Sequence, residues 1–501
     1  MLNRNWRRTV LLAGIGILTN AFQAFGQATG GPYKDSRDLP DTPAARRLTD
    51  LLGVLKSGDR ERTRTFISED FNAEFRDARP MEDHLNVFSD FCETAQNFEF
   101  YGVRRYDPPR PETQVVAIFR NRLTESWQAI VLEVEPNPPH RIVSLQFAPA
   151  RPPSDLPPPA KLSDADVVAK LGEFLERLAK ADAFSGTVLL ARDGQVLFKK
   201  AYGQACKSFN VPNNTETKFN LGSMNKMFTA VVIAQLVERG KLSFTDPIGK
   251  YLGPRWLPSD VTDKVTVEHL LSHTSGLGSY FNDKFMKSSR ALYRTIDDYR
   301  PLVAEERLEF EPGTKWSYSN TGFLLLGAII EKVTGQTYFD YVRENIFKPA
   351  GMTNTDSYDM DEPVPNLAVG YAKNTGENGQ LRWRTNLFDH VIKGGPAGGG
   401  FSTVDDLLKF DIALRSHKLL KGETTLLLWS PKPSSPDYGY GFGVRKVGDN
   451  VMVGHSGGFT GISANLDMHL TTGYTVVVLS NYGDAAGAVT RKMNEMLGAS
   501  P

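Results

Sequence analysis

Three short clusters in this sequence carry side chains able to do acyl-transfer chemistry. The first is Ser223-Met224-Asn225-Lys226, at the start of a strongly apolar run. If that run is a helix, a serine and a lysine three residues apart share one face, and the hydroxyl sits at the helix N-terminus. A serine hydroxyl is a weak nucleophile at neutral pH and needs a base, and a desolvated lysine beside other cations is neutral enough to serve. The second cluster is Tyr318-Ser319-Asn320, in a loop that follows the Pro312-Gly313 turn and precedes the apolar segment Phe323–Val333. Its tyrosine offers a proton-relay hydroxyl and its asparagine an amide donor. The third is Gly454-His455-Ser456-Gly457-Gly458, at the start of an expected strand, where glycines let a substrate backbone approach closely. Taken singly, each has a plainer reading. Ser223 can cap a helix that carries a surface lysine, Tyr318 can be a buried aromatic, Asn320 a turn residue and His455 a strand-edge histidine.

The elements that must position these clusters are legible on either side of a proline-rich stretch. Residues 149–162, with Pro149, Pro152, Pro153, Pro157, Pro158 and Pro159, favour extended conformation and mark a domain boundary. Before it, helical patterns near 43–57, 60–67 and 81–94 precede strand patterns near 98–106, 113–123, 126–135 and 141–148. That order predicts a small α+β domain over 40–148. It resembles the NTF2-like domains in element order, and no acid, base and pocket constellation accompanies it. After the boundary, Ala165–Ala181 reads as an amphipathic helix, and Asp193-Gly194 as the turn of a hairpin joining Thr187–Ala191 to Val196–Lys200. A second helix is expected from Ser223 to Gly240. Ser463–Leu470 and Tyr474–Ser480 form another hairpin, and Ala485–Leu497 a closing helix. Terminal helices bracketing an antiparallel sheet, with a mainly helical middle, predict an α/β sandwich over 163–501.

Composition narrows the function. The chain has 501 residues, 40% hydrophobic and 23% charged, enough for two domains with cores of their own. Its 58 Lys+Arg equal its 58 Asp+Glu, so no global field draws it to nucleic acid. Two cysteines, Cys92 and Cys206, supply neither a disulfide framework nor a thiolate metal cluster, and the eight histidines form no HExxH, which argues against metal catalysis. Cys206 has no adjacent histidine or cationic cluster to activate it. Arg4, Arg7 and Arg8 ahead of an apolar run from Val10 to Phe22, then Ala24-Phe25-Gly26, form a signal-peptide pattern over 1–26. Cleavage after Gly26 leaves an exported, periplasmic or extracellular protein with no stable membrane anchor; an uncleaved N-terminal anchor is the alternative.

Together, and in this order, the SxxK, YxN and HxG elements resemble the serine β-lactamase and penicillin-binding-protein superfamily, in its class C β-lactamase, D,D-carboxypeptidase and esterase branch. The resemblance extends from about Phe184 to Tyr482, and Leu270–Leu277, Lys348–Met352, Pro396–Thr403 and Tyr438–Gly443 support it. The tyrosine in the loop motif argues against class A. The resemblance implies a β-lactamase-like sandwich with a helical subdomain, no cofactor and no metal. It implies that Ser223 is acylated, that Lys226 is its base or proton acceptor, and that Tyr318 passes a proton to the leaving group and helps activate water, with either Lys226 or Tyr318 as the principal base. Asn320, His455 and Gly457 then bind substrate, and the N–H groups of Ser223 and Gly458 form the oxyanion hole. His455 stands where the family more often has lysine. An unperturbed histidine is charged in only part of the working range, which weighs against a dedicated β-lactamase, although carboxypeptidases and esterases of the branch also use histidine. His273 is expected to shape a loop, and Trp316 and Tyr440 either to line the cleft or to lie in the core.

The expected function is an exported serine hydrolase acting on a small-molecule or peptide ester, amide or β-lactam. A catalytically weak module that binds or senses cell-wall peptides is the alternative. Self-association is one role open to the N-terminal domain.

Overall fold

The computed structural model describes residues 32–157, 162–375 and 381–499. The expected signal peptide lies outside them. The chain divides into two compact units, one of residues up to 160 together with 373–382, the other of 161–372 and 383–500.

The first unit runs β1 (Tyr33–Ser36), α1 (Pro43–Ser57), α2 (Arg60–Asp70), α3 (Ala73–Asp77), α4 (Met81–Ala95), β2 (Phe98–Tyr106), β3 (Gln114–Asn121), β4 (Trp127–Val134) and β5 (Ile142–Pro149). Local chemistry sets the helix ends. Thr42 accepts the Ala45 N–H ahead of Pro43, Gly58 closes α1 at φ 62°, and Asp59 caps α2 through the Arg62 N–H. Leu48, Leu51 and Leu55 recur at helical spacing and pack with Val115, Ala117, Phe119, Ile130 and Leu132 in one core. The strands form an antiparallel sheet in the order β1-β2-β3-β4-β5. Arg104 on β2 is buried in a two-pronged pair with Asp35 on β1, at 3.0 and 3.2 Å. It also donates to the carbonyls of Arg151 and Pro152, at 2.9 and 3.3 Å. Ser154 N–H reaches the same aspartate and Tyr101 reaches Asp155, so the proline-rich segment is stitched to the sheet as far as Asp155.

The second unit contains α5 (Asp164–Lys180), β6 (Gly186–Arg192), β7 (Gln195–Tyr202), α6 (Asn225–Glu238), α7 (Asn320–Thr334), β8 (Gly443–Val447), β9 (Asn450–Phe459), β10 (Ile462–His469), β11 (Tyr474–Ser480) and α8 (Ala485–Met496) among shorter elements. Its antiparallel sheet has the order β8-β9-β10-β11-β6-β7. Helix α5 packs on β7, α8 on β10 and β11, and α6 on β9 and α7. Residues Asn225 to Leu236 of α6 are all buried, so this helix is the spine of the core. Two details differ from the sequence reading. Ser223 sits in a 3-10 turn, Gly222–Met224, that leads into α6, and the helix ends at Glu238 before Gly240 turns the chain at φ 64°. Strand β9 begins at Asn450, which places His455 to Gly458 in its second half rather than at its start.

Candidate active site

Backbone packing fixes the turn that carries Ser223. Gly222 takes φ 50°, Asn220 Oδ1 accepts its N–H at 2.9 Å, and its carbonyl accepts the Gly399 N–H at 3.0 Å. The Asn225 amide spans the Gly395 carbonyl and the Gly400 N–H, tying the 395–400 loop to the same turn. Strand β9 lies directly against it. A Cβ on Gly457 would fall 1.8 Å from the Leu221 carbonyl oxygen and 2.9 Å from Ser223 N, and one on Gly222 would fall 2.8 Å from Gly458 N. Only glycine permits that approach. It brings the backbone of Gly457 and Gly458 to the Ser223 amide.

Lys226, the second residue of α6, is fully buried. Its Nζ donates to Asn320 Oδ1 at 2.9 Å and to the Ala397 carbonyl at 2.5 Å, and lies 4.8 Å from the centre of the Tyr318 ring. Among the described residues no carboxylate pairs with it, and burial pushes its pKa well below the usual lysine range. Burial raises the Tyr318 phenol's pKa, and interaction with the Ser223 side chain opposes the rise.

His273 clamps the loop on both sides of Tyr318. Its carbonyl accepts the Ser317 N–H at 2.9 Å, its Nδ1 accepts the Ser319 N–H at 3.0 Å, and its ring lies 4.3 Å from the Tyr318 ring. With Nδ1 an acceptor, the imidazole is neutral and carries its proton on Nε2. Burial, helped by Lys226 and His455, holds its pKa well below the ordinary value. Ser319 caps α7 through the Gly322 N–H, which makes Asn320 the first helical residue. The Asn320 Nδ2 donates to Ser279 Oγ at 3.2 Å. Behind this loop Glu306 Oε1 accepts from Gly278 N–H and Thr321 Oγ1, at 3.1 and 3.2 Å, while its Oε2 is buried without a partner. Burial pushes the Glu306 carboxyl up to about 7.

His455 corrects an expectation. Its Nδ1 donates to the Ser456 carbonyl at 2.5 Å, and its Nε2 accepts from the Tyr438 hydroxyl at 2.8 Å. Burial, then the charge of Lys226, push its pKa down to about 3, so it presents an uncharged imidazole throughout the working range. The sequence singles out Tyr440, as cleft wall or core, and not Tyr438 two residues before it. Tyr440 takes the core position, donating to Glu268 at 2.8 Å and packing on Phe244. Trp316 stands behind the site, 6.1 Å from His273 and 6.4 Å from Tyr318. The Ala397 carbonyl and Asn225 were also missed; Pro396–Thr403 was marked only as a supporting segment. Ser223, Lys226, Tyr318, Asn320, His455, Gly457 and Gly458 thus converge from α6, α7 and β9. A hydroxyl, an amine without a counter-ion, a phenol and two backbone amides at one point can transfer an acyl group.

The family described as Beta-lactamase matches residues 171–499. Penicillin-binding protein 4* of Bacillus subtilis is 33% identical over 325 residues, which are 62% of this chain and 71% of that protein. Teichoic acid D-alanine hydrolase of Staphylococcus aureus is 27% identical over 290 residues, 57% of this chain and 68% of that protein. A solved penicillin binding protein from Bacillus halodurans superposes with TM-score 0.58 at 31% identity, covering 67% of this chain and 99% of its own. With its antiparallel sheet, its flanking helices and this match over the greater part of its length, the chain belongs to the β-lactamase family of hydrolases.

Proposed function

We propose that the chain is an exported serine hydrolase that cleaves an ester or amide through an acyl-enzyme on Ser223, with residues 163–501 as its catalytic domain. The observation that carries this reading is Lys226, fully buried three residues after Ser223, held by Asn320 and the Ala397 carbonyl and 4.8 Å from the centre of the Tyr318 ring, where burial favours the neutral amine. Ser223 Oγ attacks the carbonyl carbon and its proton passes into the Lys226–Tyr318 pair. The N–H groups of Ser223 and Gly458 hold the oxyanion, each donor worth about 3–4 kcal/mol. Collapse breaks the bond to the leaving group, which takes the proton from Tyr318. Water, deprotonated through the same phenol, then attacks the ester to release acid and free Ser223. Asn320, held by Lys226 and Ser279, orients the acyl part.

The uncharged His455 supports an esterase or D-amino-acid peptidase over a dedicated β-lactamase, since no fixed cation there meets a substrate carboxylate. The Arg4 to Gly26 pattern supports export, and among the described residues no helix is long and apolar enough to cross a membrane. The test is release of p-nitrophenol from a short-chain ester, with intact-protein mass after exposure to a penicillin, for the wild type and Ser223→Ala. The expected result is ester cleavage that disappears in Ser223→Ala. Turnover unaffected by that substitution, or no turnover of any ester, D-amino-acid amide or β-lactam, sinks the proposal.

A further inference from the structure

On β9 the side chains of His455, Gly457 and Phe459 share one face, because successive residues of a strand alternate. The Gly457 position shows which face this is, since its missing Cβ points at the Leu221 carbonyl and the Ser223 amide. The strand therefore runs past the nucleophile with His455 on one side and Phe459 on the other, about 13 Å apart along the backbone. The two ends differ in chemistry. At the His455 end Tyr438 donates to the imidazole, and the His273 ring, 4.8 Å from Tyr438 and 4.3 Å from Tyr318, links this end to the Tyr318 phenol. At the other end the Phe459 ring stacks on Phe281, 5.6 Å between centroids at 23°. Phe281 follows Ser279, the partner of Asn320, by two residues, and Phe285 backs it at 5.0 Å. Beyond Phe459, the Asn386 amide holds the Thr460 carbonyl at 2.9 Å.

We propose that the Phe281–Phe459 pair is the acyl-side subsite of the cleft and selects substrates with an extended aliphatic or aromatic acyl group. The assignment of sides rests on the role proposed above for Tyr318. The group that protonates the leaving atom lies toward Tyr438 and His455, so the leaving group points that way and the acyl chain lies toward the paired phenylalanines. Both rings are half-buried, stacked and backed by further aromatics, so an acyl chain meets a preformed apolar wall and loses water contact on reaching it.

The test is kcat/KM for p-nitrophenyl acetate, butyrate and octanoate, with Ser223→Ala as the control for the underlying reading. In the wild type the octanoate-to-acetate ratio should exceed about tenfold, since a fully buried methylene is worth about fourfold and the wall covers part of the chain. Phe459→Asn and Phe281→Asn should bring that ratio down to about one. Melting curves of each variant show that the ratio is read on folded protein. Ser223-dependent hydrolysis with a flat acyl-length profile, or a ratio unmoved by both substitutions, overturns the subsite and leaves the hydrolase reading intact. Loss of Ser223-dependent turnover for every ester, acetate included, overturns both.

Discussion

Arg104 in the first unit and Lys226 in the second are both buried cations, and their surroundings could hardly differ more. Arg104 is met by both oxygens of Asp35, whose side chain is as sequestered as its own (1% and 2% exposed), by two carbonyls, and by the Tyr33 ring at 3.8 Å. Among the described residues the hydrogen bonds of Lys226 go to neutral oxygens, from Asn320 and Ala397. A buried charge with a matched counter-ion is a fastener, whose removal strands its partner. A buried amine without one is driven toward its neutral form, which is a chemical property rather than a structural one. Burial alone does not separate architecture from reactivity; pairing does.

The contrast is open to three experiments. Lys226→Met should lower kcat/KM for Ser223-dependent ester cleavage by roughly 10³- to 10⁴-fold, while the melting temperature stays level or rises, because an uncompensated amine gives way to an apolar chain of similar length. Loss of stability with rate preserved would place Lys226 with the fasteners. Arg104→Met should show the reverse in denaturant unfolding, a loss of about 4 kcal/mol with the rate per folded molecule unchanged, since Asp35 is left buried without its counter-ion. Glu306 sharpens the rule from the acidic side. Its folded carboxyl keeps its proton up to about pH 7 whereas an ordinary glutamate releases it near 4.5, so wild-type stability falls as pH rises between those values. Glu306→Gln does not titrate. Its melting temperature should therefore gain on the wild type from pH 5 to pH 8, by the equivalent of about 1–2 kcal/mol once solvent around the partly exposed side chain is allowed for.

Much of the fold was legible because its signals are local. The Thr42 and Asp59 caps, the Leu48, Leu51, Leu55 spacing and the Asp193-Gly194 turn each announce an element within a few residues. The reactive clusters were legible for the same reason, since SxxK and YxN each lie within four residues. What escaped depends on contacts across the chain. The partner of His455 is Tyr438, reached because β8 pairs with β9 so that Gly443 faces Gly454. Nothing in the alternation of Tyr438 and Tyr440 says which will face the cleft and which Glu268. The Ala397 carbonyl is a backbone acceptor with no side-chain signature. The proline run 149–162 announces extended chain, but not that Arg104, more than forty residues earlier, holds it against a sheet.

The glycines at 222, 398 and 457 bear on how this protein can change over generations. Where each would carry a Cβ there is already a main-chain atom of another of these segments: Gly458 N for Gly222, the Gly222 carbonyl for Gly398, the Leu221 carbonyl for Gly457. A clash with a side chain can be relieved by a second substitution that shrinks the neighbour. A clash with main chain offers nothing to shrink. These three positions are closed to compensatory mutation, and drift that retunes the walls of the cleft must go around them.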